Sequence, residues 1–159
     1  MEILLREGKK SDMTAVLNLI KELATFEKED NAVELTERHL IEDGFGDRPA
    51  FKVFIAEKED EILGMALFYE RYSTWKGRSI HLEDLIVKQE HRGEGVGKAL
   101  YTKVLAYAHQ RKLKRVSWEV LDWNKVAIDF YTSTGAKILD DWQVVHMNED
   151  SLQNFVDQY

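Results

Sequence analysis

Hydrophobic positions along the chain follow two periods, one near 3.6 residues and one of two residues, and their succession predicts a mixed α/β fold. The predicted helices are 11–26 with Ser11 as N-cap, 36–43 with Thr36 as N-cap, 96–111, and 124–134 with Asn124 as N-cap. The predicted strands are 3–6, 51–57, 62–72, 79–87, 115–121, a short one at Ile138, and 142–147. Short polar turns join several of these strands, which favours antiparallel hairpins over the repeating βαβ units of a dinucleotide fold.

Length and composition narrow the class of protein. The chain has 159 residues, of which 44% are hydrophobic and 32% charged, and this fits one globular domain over residues 1–159. No apolar stretch approaches the roughly 18 residues that cross a bilayer, and the N-terminus lacks a secretory layout. A cytoplasmic protein without membrane association is therefore expected.

Charge and residue types exclude several chemistries. The net charge of −7 argues against nucleic-acid binding and mildly favours cationic partners, although many proteins are acidic for solubility alone. The absence of cysteine excludes disulfides, thiolate zinc sites and a cysteine nucleophile. No metal is expected, because the histidines lack H-E-x-x-H spacing and the pair His81 and Glu83 offers too few ligands.

A glycine-rich segment between a predicted strand and a predicted helix carries the clearest chemical signal. It contains Arg92-Gly93-Glu94-Gly95-Val96-Gly97-Lys98. Alternating glycines let backbone amides converge on an anion, and the helix that follows adds its free donors and positive dipole end. The spacing fits neither the Rossmann fingerprint nor a Walker A motif, because Arg92 stands where the latter needs glycine and Ala99 where it needs Ser or Thr. A glycine turn required only by backbone geometry is the alternative interpretation.

The pattern Arg-x-x-Gly-x-Gly at 92–97 resembles the acetyl-CoA pyrophosphate loop of the GNAT acetyltransferase superfamily. Further segments, spread over nearly the whole chain, are similar to the spermidine/spermine (diamine) acetyltransferase family and its relatives that acetylate thialysine. They are 20–24, 35–37, 42–46, 82–84, 123–124 and 130–131. The resemblance implies a GNAT fold, with a mixed, mostly antiparallel twisted sheet of about six to seven strands flanked by about four helices.

The same resemblance implies acetyl-CoA as the acetyl donor. The implied cofactor-binding residues are Leu85, Ile86, Val87, Arg92, Gly93, Glu94, Gly95, Val96, Gly97, Lys98, Asn124, Lys125, Val126, Ala127 and Tyr131. Superfamily members tend to carry a strand bulge near 85–87, which would expose backbone groups to the pantetheine arm. Asn124 also fits a simple helix cap, and the two roles are compatible.

Acetyl transfer to an amine requires a proton acceptor, because an alkyl ammonium has a pKa near ~10. Alternation along the strand predicts that His81, Glu83, Leu85 and Val87 share one face and that Asp84 lies on the other. From these residues alone, a salt bridge or a solvated charge explains Glu83 equally well. The resemblance implies that Glu83 binds substrate and accepts the proton through water.

The departing CoA thiolate needs a proton donor, and a phenol can donate without carrying charge. By itself, a Phe-Tyr pair in a short amphipathic helix, such as Phe130-Tyr131, is usually part of a core. The resemblance implies that Tyr131 is the general acid.

A polyamine needs carboxylates and aromatic faces along a groove, because ammonium groups favour paired charge and cation–π contacts. The resemblance implies a groove formed by Phe26, Glu27, Glu83, Ser117, Trp118, Glu119 and Asp140, each of which alone fits a solvated surface residue. The chain departs from the family in a short turn at 58–61, in Phe26 where tyrosine is common, and in Asp140 where a glutamate aligns. These departures leave the identity of the amine open.

The expected function is acetyl transfer from acetyl-CoA to a primary amine of a small polycationic substrate, a polyamine, a diamine or a thialysine-like amino acid. Direct attack in a ternary complex is expected, because no cysteine can hold the acetyl group. The family commonly forms homodimers, and a homodimer is expected here. A protein lysine or N-terminal acetyltransferase and a non-catalytic acyl-CoA sensor are the alternatives.

Overall fold

The computed structural model describes residues 2–159, which form two compact units, one reaching to Glu119 and one spanning Val120–Tyr159. The strands are β1 (Leu4–Glu7), β2 (Lys52–Lys58), β3 (Glu61–Ser73), β4 (Gly77–Val87) and β5 (Val116–Ser117). The α-helices are α1 (Met13–Phe26), α2 (Glu37–Phe45), α3 (Val96–Gln110), α4 (Lys125–Ser133) and α5 (Glu149–Val156). Short 3₁₀ turns, Lys10–Asp12 and Gln89–His91, precede α1 and the glycine loop.

The strands form one sheet in the first unit, in the order β1-β2-β3-β4-β5. The pairs from β1 to β4 are antiparallel, and β5 is parallel to β4. A parallel pair requires a crossover, and α3 supplies it between these two strands. The expectation of a mixed, mostly antiparallel sheet is therefore confirmed.

The core of the first unit lies on both faces of the sheet. On one face, the buried residues of α1, α2 and the sheet are Met13, Val16, Leu19, Leu40, Val53, Ile55, Met65, Leu67 and Ile86. On the other face, α3 buries Val96, Leu100, Tyr101, Val104 and Ala108. The rings of Phe54, Phe68 and Tyr107 pack together on that face, with centroids 4.9 to 5.9 Å apart. The buried residues of α1 and of α3 recur every three or four positions, so that each helix directs one apolar stripe toward the sheet.

Helix starts follow local hydrogen bonding, and two of the three predicted caps are confirmed. The hydroxyl of Thr36 accepts from the His39 amide at 3.3 Å, and the side-chain oxygen of Asn124 accepts from the Ala127 amide at 3.3 Å. The prediction for Ser11 is wrong, because this residue lies inside a 3₁₀ turn. The N-cap of α1 is Asp12 instead, and its carboxylate makes no bond to the amides of α1 but accepts from the Lys9 amide at 2.6 Å.

The sheet is smaller than expected. In residues 2–159 it has five strands rather than six to seven, because β5 is limited to Val116–Ser117 and no strand forms between 136 and 147. A segment with alternating hydrophobic residues forms a strand only where its backbone can pair with a neighbouring strand. In the segment 142–147 the hydrophobic side chains, such as Trp142 and Val145, are exposed. The described chain has five α-helices rather than about four. The additional helix, α5, had a sequence signal in its N-cap Asn148 and its acidic first turn.

Within residues 2–159, no helix combines the length and the apolar character needed to cross a membrane.

Candidate active site

The centre of β4 carries a bulge at Glu83. Phe68 of β3 pairs with Leu82, and the preceding residue, Leu67, pairs with Asp84, so Glu83 is an extra residue on β4. A bulge breaks the two-residue alternation, and Asp84 therefore lies on the same face as His81. The predicted alternation, with Asp84 on the opposite face, is wrong. The bulge that the family resemblance implied is present, and it brings two carboxylates to one side of the sheet.

Glu83 and Asp84 share this side with Glu27, which directly follows α1. Burial is the largest influence on Asp84 and, together with the charges of Glu83 and Glu27, raises the pKa of Asp84 to about 6. Burial and the charge of Glu29 raise the pKa of Glu27. Burial is the main cause at both residues, and at Asp84 the charges of Glu83 and Glu27 add to it, so an incoming cation would favour the ionised form of Asp84. Asp84 is a candidate site residue that was not predicted from the sequence, because regular alternation without a bulge places its side chain on the opposite face of the sheet.

The carboxylate of Glu83 is held on one side and open on the other. The Tyr69 hydroxyl donates to Oε2 of Glu83 at 3.0 Å, and Nε2 of His81 lies 3.5 Å from the same oxygen. His81 is buried, whereas half of the Glu83 side chain is exposed. Burial and the contact with Glu83 raise the pKa of the Tyr69 phenol, with a smaller contribution from Glu119. An oriented, solvent-facing carboxylate of this kind can accept a proton from an amine or from water.

The glycine loop has the geometry of an anion site. Gly93 and Gly95 have φ values of +83° and +84°, which only glycine adopts without strain, and Gly95 is the N-cap of α3. Ala99 donates to the Gly95 carbonyl at 3.0 Å, so the amides of 96–98 precede the first amide bonded within the helix. The first turn of α3 has no acidic side chain to occupy its positive end.

Arg92 connects this loop to the end of α1. Its Nε donates to the Val87 carbonyl at 3.1 Å, and its guanidinium carbon lies 5.2 Å from the centre of the Phe26 ring. A terminal nitrogen of the guanidinium is 3.5 Å from the Glu22 carboxylate. The structure therefore brings Phe26, of the predicted groove, beside Arg92, of the predicted cofactor loop.

The far half of β4 has an open edge. β5 pairs with β4 at Ile80 and His81, before the bulge, and ends at Ser117. At 85–87, β4 pairs with β3, and within residues 2–159 no strand is assigned to its other edge. These backbone groups lie where the resemblance predicted contacts to the pantetheine arm.

Three residues of the predicted substrate groove, Ser117, Trp118 and Glu119, lie in or directly after β5. The Ser117 hydroxyl lies 3.0 Å from Nδ1 of His81, and the Trp118 ring meets the Tyr101 ring edge-on at 5.6 Å. Glu119 is close enough to Tyr69 to raise the pKa of its phenol. Ser117 and Glu119 thus lie near the Glu83 group.

The remaining predicted residues belong to the second unit. Asn124 caps α4, and Lys125, Val126 and Ala127 form its first turn. Tyr131 lies later in the same helix, with its ring 5.5 Å from that of Phe130. Asp140 is exposed in a turn that follows α4.

Comparison with known proteins defines the class. The chain matches the model of the acetyltransferase (GNAT) family over residues 13–136. It is 39% identical over 152 residues to a thialysine N-epsilon-acetyltransferase of Bos taurus, covering 91% of this chain and 89% of that protein. It is 34% identical over 158 residues to a spermidine/spermine N(1)-acetyltransferase-like protein 1 of Homo sapiens, covering 93% of this chain and 23% of that protein.

A solved structure supports the same fold. The integron cassette protein VCH_CASS6 from Vibrio cholerae superposes with a TM-score of 0.80 at 22% identity, covering 98% of both chains. The chain therefore belongs to the acetyltransferase (GNAT) family and is an acetyltransferase. Within that family, its sequence is similar to thialysine and spermidine/spermine acetyltransferases.

Proposed function

We propose that this acetyltransferase transfers the acetyl group of acetyl-CoA to a primary amine of a small polycationic molecule. A diamine, a polyamine or a thialysine-like amino acid fits this description. The observation that carries the proposal is the placement of Glu27, Glu83 and Asp84 together beside the bulge, where the charges of Glu27 and Glu83 act on the buried Asp84 and an ammonium group would offset them. The activities in the names of the Bos taurus and Homo sapiens relatives support the same substrate class.

The glycine loop is the proposed pyrophosphate site for acetyl-CoA. The amides of 93–98 and the positive end of α3 would face the phosphates, and the open β4 edge at 85–87 would bond the pantetheine amides. Arg92, next to the loop, belongs to the same proposed site, and the family resemblance implies a cofactor-binding role for the α4 start at 124–127 as well. The residues present fit acetyl-CoA in charge and in donor type, because the loop and helix offer donors and a positive dipole end.

The proposed chemistry is direct attack within a ternary complex. Glu83 accepts the ammonium proton through water, and the freed amine nitrogen forms a bond to the thioester carbon. The carbon–sulfur bond breaks as the amide forms, and Tyr131 donates a proton to the departing thiolate. The second proton, which the nitrogen releases on becoming an amide, passes through water to the Tyr131 phenolate and restores the phenol. Since the chain has no cysteine, an acetyl-cysteine intermediate is impossible.

The second unit provides the proposed dimer contacts. Val145, Phe155 and Tyr159 are 86%, 53% and 95% exposed, which leaves apolar surface for a second copy. A homodimer is the proposed assembly, and a cytoplasmic location stays a prediction.

The deciding experiment is a panel of amines assayed for CoA release with acetyl-CoA. Diamines, spermidine, thialysine, lysine and a lysine-containing peptide are compared by kcat/KM. The proposal predicts turnover that is fastest with one of the free polycationic amines. A preference for the peptide would indicate a protein acetyltransferase. Tight acetyl-CoA binding without turnover of any amine would indicate a sensor and overturn the proposal.

The role of Tyr131 is tested separately by Tyr131→Phe. The phenol donates its proton only as the carbon–sulfur bond breaks, so we expect kcat to fall while acetyl-CoA affinity changes little. Acetyl-CoA binding by calorimetry and steady-state kcat measure the two quantities. Unchanged turnover would remove Tyr131 from the mechanism.

A further inference from the structure

The proposed chemistry uses Glu83 but leaves the buried histidine beside it without a role. His81 lies at the middle of β4, paired with Tyr69 of β3 on one side and with Ser117 of β5 on the other. It is only 7% exposed. A buried imidazole needs partners for both ring nitrogens, and those partners determine which nitrogen carries the proton.

The partners of Nδ1 identify the tautomer. The Ser117 hydroxyl lies 3.0 Å from Nδ1, and Nη1 of Arg71 lies 3.4 Å from it. A guanidinium has only donors, so its contact requires a lone pair on Nδ1, and the serine hydroxyl can donate to the same lone pair. Nδ1 is therefore the acceptor nitrogen, and the ring proton is on Nε2.

The Nε2 proton then points to Glu83. Nε2 lies 3.5 Å from Oε2 of Glu83, the same oxygen that accepts from the Tyr69 hydroxyl at 3.0 Å. The hydrogen bond from Tyr69 and the electrostatic attraction of the Nε2–H dipole 3.5 Å away both favour one orientation of a half-exposed side chain that would otherwise sample several rotamers. They leave Oε1 to face the water or amine from which a proton is taken.

We propose that His81, fixed as the Nε2–H tautomer by Arg71 and Ser117, is a positioning residue that aims the Glu83 carboxylate. The proposal rests on the role assigned to Glu83 above. It adds His81 and Arg71 to the residues that support the reaction, and it gives Ser117, a residue of the expected groove, a second role as a partner of His81. His81 does not itself take the substrate proton, because its only lone pair is directed at Arg71 and Ser117.

Two substitutions of His81 test the Nδ1 and Nε2 contacts of the imidazole one at a time. In His81→Asn, the amide oxygen can replace Nδ1 as acceptor for Ser117 and Arg71, but the side chain is too short to reach Glu83. In His81→Gln, the amide nitrogen can replace Nε2 and restore the donor. We expect His81→Asn to lower kcat about 10-fold with unchanged KM for acetyl-CoA, and His81→Gln to stay within about threefold of the wild type. His109→Asn, at an exposed position near the end of α3, is the matched control and should change nothing.

A double-mutant comparison distinguishes positioning from a general structural role. If His81 acts through Glu83, His81→Asn should cause no further loss of kcat in the Glu83→Gln background. Equal losses from His81→Asn and His81→Gln, or additive losses with Glu83→Gln, would overturn the proposal.

The tautomer is measured without any assay of activity. Imidazole nitrogen shifts in a ¹⁵N NMR spectrum distinguish Nε2–H from Nδ1–H, and the signal of His81 is assigned by its loss in His81→Gln. We expect Nε2–H at neutral pH, and an Nδ1–H ring would overturn the inference. Inactivity of the wild type on every amine would instead refute the proposed function, so the two failures are distinguishable.

Discussion

Two groups of carboxylates lie beside the sheet of the first unit, and their surroundings are opposite in charge. In the first group, Arg6 of β1 lies between Asp12 and Glu57. Its Nη1 and Nη2 donate to Asp12 at 2.7 and 3.0 Å, and its Nε donates to Glu57 at 2.9 Å. The hydrogen bond from Arg6 is the main reason that the pKa of Asp12 is lowered. The fold itself supplies the cation here.

The second group has the reverse balance. Glu83, Asp84 and Glu27 lie together at the bulge, and the charged neighbours that shift the pKa of Asp84 are the other two carboxylates. Burial, together with these two charges, raises the pKa of Asp84, whereas the pKa of Asp12 is lowered. Ion pairing that is complete within the chain serves stability, while carboxylates gathered without a cation are typical of a site for a cationic ligand. The comparison predicts that substitutions in the first group affect folding and that substitutions in the second affect catalysis.

The largest expected effect is that of Glu83→Gln on turnover. Glutamine keeps the oxygen that accepts from Tyr69 but cannot accept a proton from the amine. We expect kcat to fall by at least about 100-fold, with the melting temperature and the KM for acetyl-CoA near their wild-type values. A fall in melting temperature that accounts for the lost activity would mean that the second group is structural, and the comparison would fail.

The next effect is that of Asp12→Asn on stability. The substitution leaves a mostly buried guanidinium with one carboxylate instead of two, so we expect the free energy of unfolding to fall by about 2–4 kcal/mol at pH 7. The kcat of the folded enzyme should not change. Because the pKa of Asp12 is lowered in the folded state, its contribution is complete above the unfolded pKa near 3.8 and is lost as the pH falls below that value. Urea titrations of both proteins at pH 7 and below pH 4 measure this difference.

The control for Asp12 is an ion pair of the same length at the surface. Arg38 and Glu42 of α2 are 2.7 Å apart, but both are exposed, so solvent screens their attraction. We expect Glu42→Gln to unfold at the same urea concentration as the wild type. A loss as large as that of Asp12→Asn would show that burial does not distinguish the two pairs.

The two groups also differ in how far the sequence predicted them. The glycine loop and the caps at Thr36 and Asn124 depend on local spacing, which can be seen in a single sequence, whereas the role predicted for Glu83 depends on the family resemblance. The pairing of Arg6 with Glu57 depends on the register of β1 with β2, which joins residues far apart in the chain. No local pattern reports that register.

The bulge shows the same limit within the candidate site. Alternation from Ser79 to Val87 assumes a regular strand, and one extra residue at Glu83 reverses the face of every residue that follows it. The missing strand at 142–147 has a related cause, because alternation describes a side-chain pattern and does not show that a neighbouring strand exists. Two adjacent carboxylates in an apolar strand were the one unusual feature of this segment in the sequence, because a buried charge is costly without a partner.

The smallest effect, and the most specific, is expected from Asp84→Asn. Since the folded pKa of Asp84 is about 6 and the ordinary value is 3.8, its ionisation opposes folding increasingly between these two values, fully above pH 6, and not at all once both states are protonated. We expect Asp84→Asn to raise the free energy of unfolding by about 1–3 kcal/mol at pH 8, with the gain vanishing well below the unfolded pKa of 3.8. The sign is opposite to that of the same substitution at Asp12.

Removing this charge should also weaken amine binding, because an ammonium group would lose one of its carboxylates. We expect the KM for the best amine of the panel to rise about 10-fold while the KM for acetyl-CoA is unchanged. Asp60→Asn, at an exposed turn with φ of +63°, removes the same charge far from the carboxylate group and should leave both KM values unchanged. If Asp84→Asn destabilised the protein at pH 8 and left the amine KM unchanged, the second carboxylate group would be structural like the first. A more stable enzyme that binds its amine less tightly would instead show that the buried charge of Asp84 serves substrate binding at a cost in stability.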